Sequence, residues 1–214
     1  MSICIVTAGE SRSFPGNCSE LSVATGTGIV IAGADARSAY ASLSDRAQAA
    51  FVAVELGTEC LAEHVGLHRH DVHAKTVGFA RFRLGGAEPS RLVELVHMPW
   101  TDSAATDAAR SAFEACGLIV AVCGDFPGRI VDRLIRPYFN AALRRLDEGL
   151  ASADDLDTTL RLGLGYPEGP IALLERTGLD HHFDVSSALH AALGSADYVP
   201  ARRARVAKTR KQLD

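Results

Sequence analysis

The chain has 214 residues, of which 47% are hydrophobic and 22% are charged, and its formal net charge is −4. This length allows one large domain or two small ones, each with a hydrophobic core. The negative charge argues against a dedicated nucleic-acid-binding protein. No apolar run approaches the ~20 residues that span a bilayer, and the amino terminus has no basic segment typical of a signal peptide. We therefore expect neither nucleic acid nor membrane as a partner.

The cysteines are odd in number and scattered, without a Cys-x-x-Cys pair. They are Cys4, Cys18, Cys60, Cys116 and Cys123. This distribution favours reduced thiols in a cytoplasmic protein over a disulfide framework or a zinc site.

Short runs rich in Val and Ile, separated by glycines, predict six strands in the first half of the chain. They are ICIVTAG (3–9), GIVIAGA (28–34), AFVAVELG (50–57), TVGFARFRL (76–84), RLVELVHM (91–98) and LIVAVC (118–123). Several are apolar throughout, which is typical of a sheet covered on both faces. The alanine-rich stretch 101–117 predicts a helix between the last two strands. Residues 91–123 therefore predict one βαβ unit with a parallel strand pair.

The stretch TGTGIVIAG (25–33) resembles a loop that binds a dinucleotide. Such a loop needs a strand first, then Gly-x-Gly-x-x-Gly, then a helix. Here Gly26 and Gly28 precede the apolar run, and Ile31 stands where the third glycine would be. The stretch therefore predicts a turn and a strand, and no cofactor-binding residue.

Several histidines cluster in EHVGLHRHDVH (63–73), at His64, His68, His70 and His73, together with Asp71. We interpret this stretch as a solvated connection between strands, with a zinc or nickel site as the alternative. No metal site is predicted.

The second half of the chain has a helical pattern. A helix is predicted between Pro127, just ahead of it, and Gly149 at its end. Near one face lie Ile130, Leu134, Tyr138, Ala141 and Leu143 or Arg145, and Pro137 predicts a kink or a fresh start. Further helices follow Ser152 and the corner GLGYPEGP (163–170). The pair His181-His182 predicts a helix cap or an interface element. We therefore expect an α/β domain in residues 1–124 and an all-α domain in residues 125–214.

The helical half resembles the C-terminal domain of the 3-hydroxyacyl-CoA dehydrogenases. The resemblance rests on DFPGRIVDRLIRPYFNAAL (125–143), EGLASADDLDTTLRLGLGYPEGPIALLERTGLD (148–180) and YVPARRARV (198–206). The chain is most similar to the second half of fused 3-hydroxybutyryl-CoA dehydrogenases. This resemblance implies a reduced Rossmann-like domain followed by the helical domain, NAD-linked oxidation of a 3-hydroxyacyl-CoA in fatty acyl-CoA metabolism, and dimerisation through the helical domain.

The resemblance also implies which positions carry catalysis. A histidine takes the hydroxyl proton, a glutamate holds the imidazole ring, and an asparagine helps to orient it. Glu94 in LVELV matches the glutamate, Asp132 stands at the asparagine position, and Ala80 stands at the histidine position. If Glu94 and Asp132 approached each other, Arg81 or Arg129 would neutralise them, and a structural salt bridge would be their use.

Two hypotheses follow. The chain is either an oxidoreductase with an altered site or a degenerate, non-catalytic subunit. In the second case it forms a homodimer or pairs with a complete dehydrogenase through residues 125–200, with acyl-CoA as a further ligand. Ala80 has no group that can accept or donate a proton, which favours the second hypothesis.

Overall fold

The computed structural model describes residues 3–16, 18–23, 26–44 and 46–213. The chain forms two compact units: Met1–Arg83 with Pro89–Ile130, and Leu84–Glu88 with Val131–Asp214. We call them the first and the second unit.

The division between the units falls after Ile130, whereas the sequence places the domain boundary after residue 124. Residues 125–130 stay with the first unit because they hydrogen-bond to it. The Asp125 carboxylate accepts the backbone N–H groups of Leu61 at 2.6 Å and Ala62 at 2.8 Å. The Gly128 N–H donates to the Thr58 carbonyl at 3.0 Å.

The first unit is built on a sheet of six strands in the order β1-β2-β3-β4-β5-β6. The strands are β1 (Cys4–Thr7), β2 (Ile29–Ala32), β3 (Val52–Glu55), β4 (Thr76–Arg81), β5 (Leu92–His97) and β6 (Ile119–Gly124). Strands β1 to β4 are parallel, β4 and β5 are antiparallel, and β5 and β6 are parallel. All six predicted strands are confirmed, and so is the parallel pair of the predicted βαβ unit.

Both faces of the sheet are covered, as the apolar strands predict. On one face lies α3 (Ser103–Ala115), whose Phe113 packs against Phe79 of β4 with ring centroids 5.1 Å apart. On the other face, α1 (Ala36–Ala41) and α2 (Ala62–Val65) cover the apolar side chains of β2 and β3.

The second unit is helical. Its helices are α4 (Val131–Asp147), α5 (Ala153–Leu164), α6 (Pro170–Thr177), α7 (Leu179–Leu193) and α8 (Arg202–Lys211). Phe139 and Leu143 of α4 pack with Ile171 and Leu174 of α6 to form its core. Among the residues described, no helix combines the length and the apolar character needed to cross a membrane.

Helix α4 corrects two expectations. It runs through Pro137 as one helix, so the expectation of a fresh start at that residue is wrong. Proline has no N–H to donate to the carbonyl four residues earlier, and the Tyr198 hydroxyl donates to that Arg133 carbonyl instead, at 3.1 Å. The predicted apolar face is right at Leu143, which is buried, but wrong at Leu134, which is 69% exposed, whereas Arg136 and Asn140 are buried.

Candidate functional site

The structure places position 80 beside Glu94. Ala80 of β4 and Glu94 of β5 are directly opposite in the antiparallel pair, so their side chains share one face of the sheet at about 5 Å between Cβ atoms. Both residues are buried. The two positions that the resemblance assigns to a base and its orienting acid therefore lie side by side, and the methyl group of Ala80 cannot move a proton.

The Glu94 carboxylate is bound by the segment that follows β6. Arg129 Nε lies 3.4 Å from its Oε2, and the Ile130 N–H donates to its Oε1 at 2.8 Å. Arg129 has a φ of 51°, a left-handed conformation that costs a non-glycine residue about 1–2 kcal/mol. Burial and the negative charge of Glu94 raise the pKa of the nearby Cys123 thiol to about 11, against the opposing charge of Arg129. Glu94 is thus the counter-ion of a buried guanidinium.

Asp132 lies in the second unit, in the first turn of α4. Its Oδ1 accepts a hydrogen bond from Arg136 Nε at 2.7 Å, and the Arg136 side chain is only 2% exposed. Arg81, the other predicted neutralising residue, pairs with Glu20 at 2.9 Å. Each of the two family carboxylates therefore has an arginine of its own within its own unit.

A buried polar network extends from Arg136 and was missed in the sequence. Arg136 Nη1 donates to His182 Nδ1 at 3.3 Å. The other ring nitrogen of His182, Nε2, therefore carries the proton and donates to Asn140 Oδ1 at 2.9 Å. His182 is 1% exposed within α7, so for this histidine the expectation of a helix cap or an interface element is wrong.

This network predicts a pH dependence of stability. Burial and the Arg136 guanidinium lower the pKa of His182 from 6.5 to about 3. Between these values the unfolded chain binds the proton and the folded chain does not, so stability falls as pH decreases from about 6.5 towards 3. The slope from this one group reaches ~1.4 kcal/mol per pH unit. Urea unfolding at pH values between about 7 and 4 should show a flatter dependence for His182→Gln. His68→Gln, which removes an exposed histidine, should leave the slope of the wild type unchanged; equal slopes for all three proteins would contradict the prediction.

The loops after β1 and β2 decide whether the chain can hold the dinucleotide that the resemblance implies. A buried carboxylate, Glu55 at the end of β3, occupies this region. It accepts the Ser11 hydroxyl at 2.7 Å, the Ser13 N–H at 2.7 Å and the Gly33 N–H at 2.6 Å. Backbone N–H groups at such loops are the groups that hold a pyrophosphate. Here the protein's own anion takes them.

The next two N–H groups are also taken. Ala34 N donates to the Glu10 carbonyl at 3.0 Å, and Asp35 N donates to the Ala8 carbonyl at 2.9 Å. A Cβ at Gly33 would lie 2.0 Å from the Ala8 carbonyl oxygen, so the two loops pack against each other. The order β1-β2-β3-β4 moreover runs without the reversal at which doubly wound sheets bind dinucleotides. The described residues do not fit a dinucleotide phosphate.

The Gly-x-Gly pair lies before β2. Thr25 is outside the described residues. A Cβ at Gly28 would lie 2.2 Å from the Phe51 ring, and the Gly28 carbonyl accepts the Cys4 N–H at 2.8 Å. The need for glycine at position 28 is therefore close packing against Phe51.

The ring centroids of His70 and His73 lie 5.8 Å apart, but His73 and His64 have different partners. His73 Nδ1 lies 2.5 Å from the Tyr40 hydroxyl, and His64 Nε2 lies 3.5 Å from Glu59. In the part of the chain that the structure describes, no three His, Cys, Asp or Glu side chains converge as metal ligands.

Comparison with known proteins bears on the helical half most strongly. The family model described as the 3-hydroxyacyl-CoA dehydrogenase C-terminal domain matches residues 128–212. The human mitochondrial hydroxyacyl-coenzyme A dehydrogenase is 38% identical over 109 residues, 47% of this chain and 35% of that protein. The 3-hydroxybutyryl-CoA dehydrogenase of Bradyrhizobium diazoefficiens is 36% identical over 109 residues, 51% of this chain and 37% of that protein. The chain thus spans about a third of the length of these relatives.

Solved structures extend the similarity of fold to both units. FadB2 of M. tuberculosis covers 90% of this chain and 69% of its own length with a TM-score of 0.71 and 21% identity. The match to the (S)-3-hydroxybutyryl-CoA dehydrogenase PaaH1 of Ralstonia eutropha covers 90% of this chain and 68% of that protein, with a TM-score of 0.69 and 21% identity. Residues 128–212 therefore match the C-terminal domain of the 3-hydroxyacyl-CoA dehydrogenases, and the fold of the chain, a reduced Rossmann-like unit followed by a helical unit, is similar to that of such dehydrogenases.

Proposed function

We propose that this chain is a non-catalytic subunit of 3-hydroxyacyl-CoA metabolism that docks its helical unit on a complete dehydrogenase carrying the same C-terminal domain. An apolar surface on the helical unit carries the proposal. It consists of Leu134, Leu162, Leu164 and Tyr166, which are 69%, 81%, 61% and 42% exposed. We call it the apolar helical surface.

One ring contact and short separations along the chain connect the members of this surface. Leu134 lies one helical turn from Tyr138 in α4, and the Tyr138 ring meets the Tyr166 ring edge-on with centroids 5.9 Å apart. Leu162 and Leu164 end α5, directly before Tyr166. Clustered exposed apolar side chains mark protein interfaces rather than ordinary surface. A complete dehydrogenase is the favoured partner because the similarity to such enzymes is strongest in this helical half.

The first unit supports a role without hydride transfer. Alanine at position 80 offers no base, and Glu94 and Asp132 are each bound to an arginine. The N–H groups of Ser13, Gly33, Ala34 and Asp35, in the loops after β1 and β2, are occupied, so the proposal includes no NAD binding by this chain. The described cysteines are all free, which supports the cytoplasm as the compartment. Acyl-CoA remains a ligand that the helical unit would share with its partner.

A fluorescence titration with NADH tests the non-catalytic part. We expect no saturable binding with a Kd tighter than about 100 μM. The Bradyrhizobium 3-hydroxybutyryl-CoA dehydrogenase serves as the control for the signal. Saturable binding by this chain would overturn the proposal and favour the other hypothesis, an oxidoreductase with an altered site that uses the Glu94 region.

Sedimentation velocity of the full chain mixed with the same dehydrogenase tests the docking part. We expect a complex whose Kd weakens at least ~10-fold in Leu134→Glu and in Leu164→Glu, since a buried charge disrupts an apolar interface. Leu67→Glu changes a 75% exposed leucine of the first unit and is the matched control. A homodimer that the two variants disrupt, with no mixed complex, would replace the dehydrogenase by a second copy of the chain. No association at all would contradict the proposal.

A further inference from the structure

We propose that a cavity at the amino ends of β3 and β4 binds a small anion with a short apolar tail. The cavity has a volume of about 470 Å³. It is lined by Leu43, Ser44, Arg46, Ala47, Asp71, Val72 and Lys75. We call it the basal cavity. The inference concerns the first unit alone and does not depend on the docking of the helical unit.

The basal cavity is separate from the candidate site. Lys75 directly precedes β4, and its backbone carbonyl accepts the Val52 N–H at the start of β3 at 3.0 Å. Glu55 and the loops after β1 and β2 lie at the opposite, carboxyl ends of the strands. A ligand in the basal cavity would therefore meet none of the family's catalytic positions.

Two cations face this cavity, and both are held by neutral oxygens. Lys75 Nζ donates to the Ala47 and Ala49 carbonyls, each at 3.1 Å. Arg46 Nη2 donates to the Tyr40 carbonyl at 2.5 Å and Nε to the Leu43 carbonyl at 3.0 Å. Carbonyl oxygens orient a cation without cancelling its charge. Among the described residues neither side chain has a carboxylate partner, so in that part of the chain only carbonyl oxygens bind the two cations.

Both cations retain donors. Two of the three Lys75 ammonium hydrogens bind carbonyls, so the third remains to donate to a ligand. Arg46 Nη1 makes no hydrogen bond to the described residues. The Arg46 guanidinium also lies over the Tyr40 ring, 4.3 Å from its centroid. Side chains fixed in this way lose little entropy when they bind an anion, and such pre-organisation strengthens binding.

The walls define the rest of the ligand. Leu43, Ala47 and Val72 are apolar, and Val72 is 53% exposed. The carboxylate at the rim, Asp71, is 94% exposed and lies 3.5 Å from Arg69 Nε, and Arg69 also pairs with Asp102, so Asp71 adds one negative charge beside the two cations of the lining. A cavity of this volume falls in the range of small-molecule sites. The lining thus fits a carboxylate or phosphate group attached to a short hydrocarbon chain.

Amide chemical-shift titrations of the full chain with hexanoate, hexyl phosphate and hexanamide test this assignment. We expect saturable shifts at Leu43, Ala47, Val72 and Lys75 for the two anions, with a Kd of about 1 mM or tighter. Whichever anion binds more tightly identifies the headgroup. Hexanamide has the same apolar chain without the charge and should bind at least ~10-fold more weakly.

Variants test whether the positive charge of Lys75 binds the anion. Lys75→Met should weaken anion binding at least ~10-fold, whereas Arg110→Met, which removes an exposed arginine of α3, should not change it. If Lys75→Met fails to fold, Val72→Asp places a negative charge on the cavity wall without removing a carbonyl contact and should weaken binding similarly. Equal binding of hexanamide, shifts confined to other residues, or no shifts would each overturn the inference.

Discussion

Replacing Glu94 with alanine should lower the free energy of unfolding by about 3–5 kcal/mol, the usual cost of leaving a buried charge without its partner. The Arg129 side chain is 5% exposed and pairs with Glu94, and the Ile130 N–H would also lose its acceptor. Urea unfolding followed by circular dichroism measures the change. This loss would show that Glu94 stabilises the end of the first unit by pairing with Arg129.

A double variant separates this explanation from a general loss of packing. Glu94→Ala combined with Arg129→Met removes both charges and should recover most of the lost stability, because it is the uncompensated guanidinium that is costly. Glu114→Ala removes an exposed carboxylate of α3 and should leave stability within about 0.5 kcal/mol of the wild type. A Glu94→Ala protein as stable as the Glu114→Ala control would refute the counter-ion role.

Replacing Asp132 with alanine should cost about 3 kcal/mol in the same measurement. The reason is Arg136, which would remain buried with only the neutral His182 ring as a partner. The cost should be somewhat below that of Glu94→Ala, since the Asp132 side chain is 13% exposed and water can partly replace it.

Two further variants test this second prediction. Asp132→Asn keeps an acceptor for Arg136 and should cost less than Asp132→Ala, although the charge is lost. Asp132→Leu with Arg136→Met removes the ion pair as a whole and should restore most of the stability. If Asp132→Asn were as destabilised as Asp132→Ala and the double variant were worse still, the carboxylate would have a role other than neutralising Arg136.

The strands could be predicted from the sequence because the signal for them is local. Runs such as GIVIAGA (28–34) are apolar at every position, and the structure buries β2 completely. The resemblance likewise located Ala80 and Glu94, which the antiparallel pair brings together. The antiparallel direction of this strand pair was not predicted, because the residues of β4 and β5 do not indicate whether the neighbouring strand runs parallel or antiparallel.

The buried polar groups could not be predicted, because their partners are distant in the chain. Arg136 is buried through Asp132, four residues away, but also through His182 on another helix. A pattern of apolar spacing assigns arginine to the surface and Leu134 to the core, and here both assignments are reversed. Glu55 is similar, since its donors at Ser11, Ser13 and Gly33 come from two other loops.

The short segment Leu84–Glu88, which follows β4, belongs to the helical unit although it lies between two strands of the other. Leu84 packs on the Phe139 core, and a Cβ at Gly85 would lie 1.7 Å from the Thr177 carbonyl oxygen. The chain consequently passes between the units three times. A single proteolytic cut or gene truncation near residue 130 would not release an intact helical domain, because part of its core would stay behind.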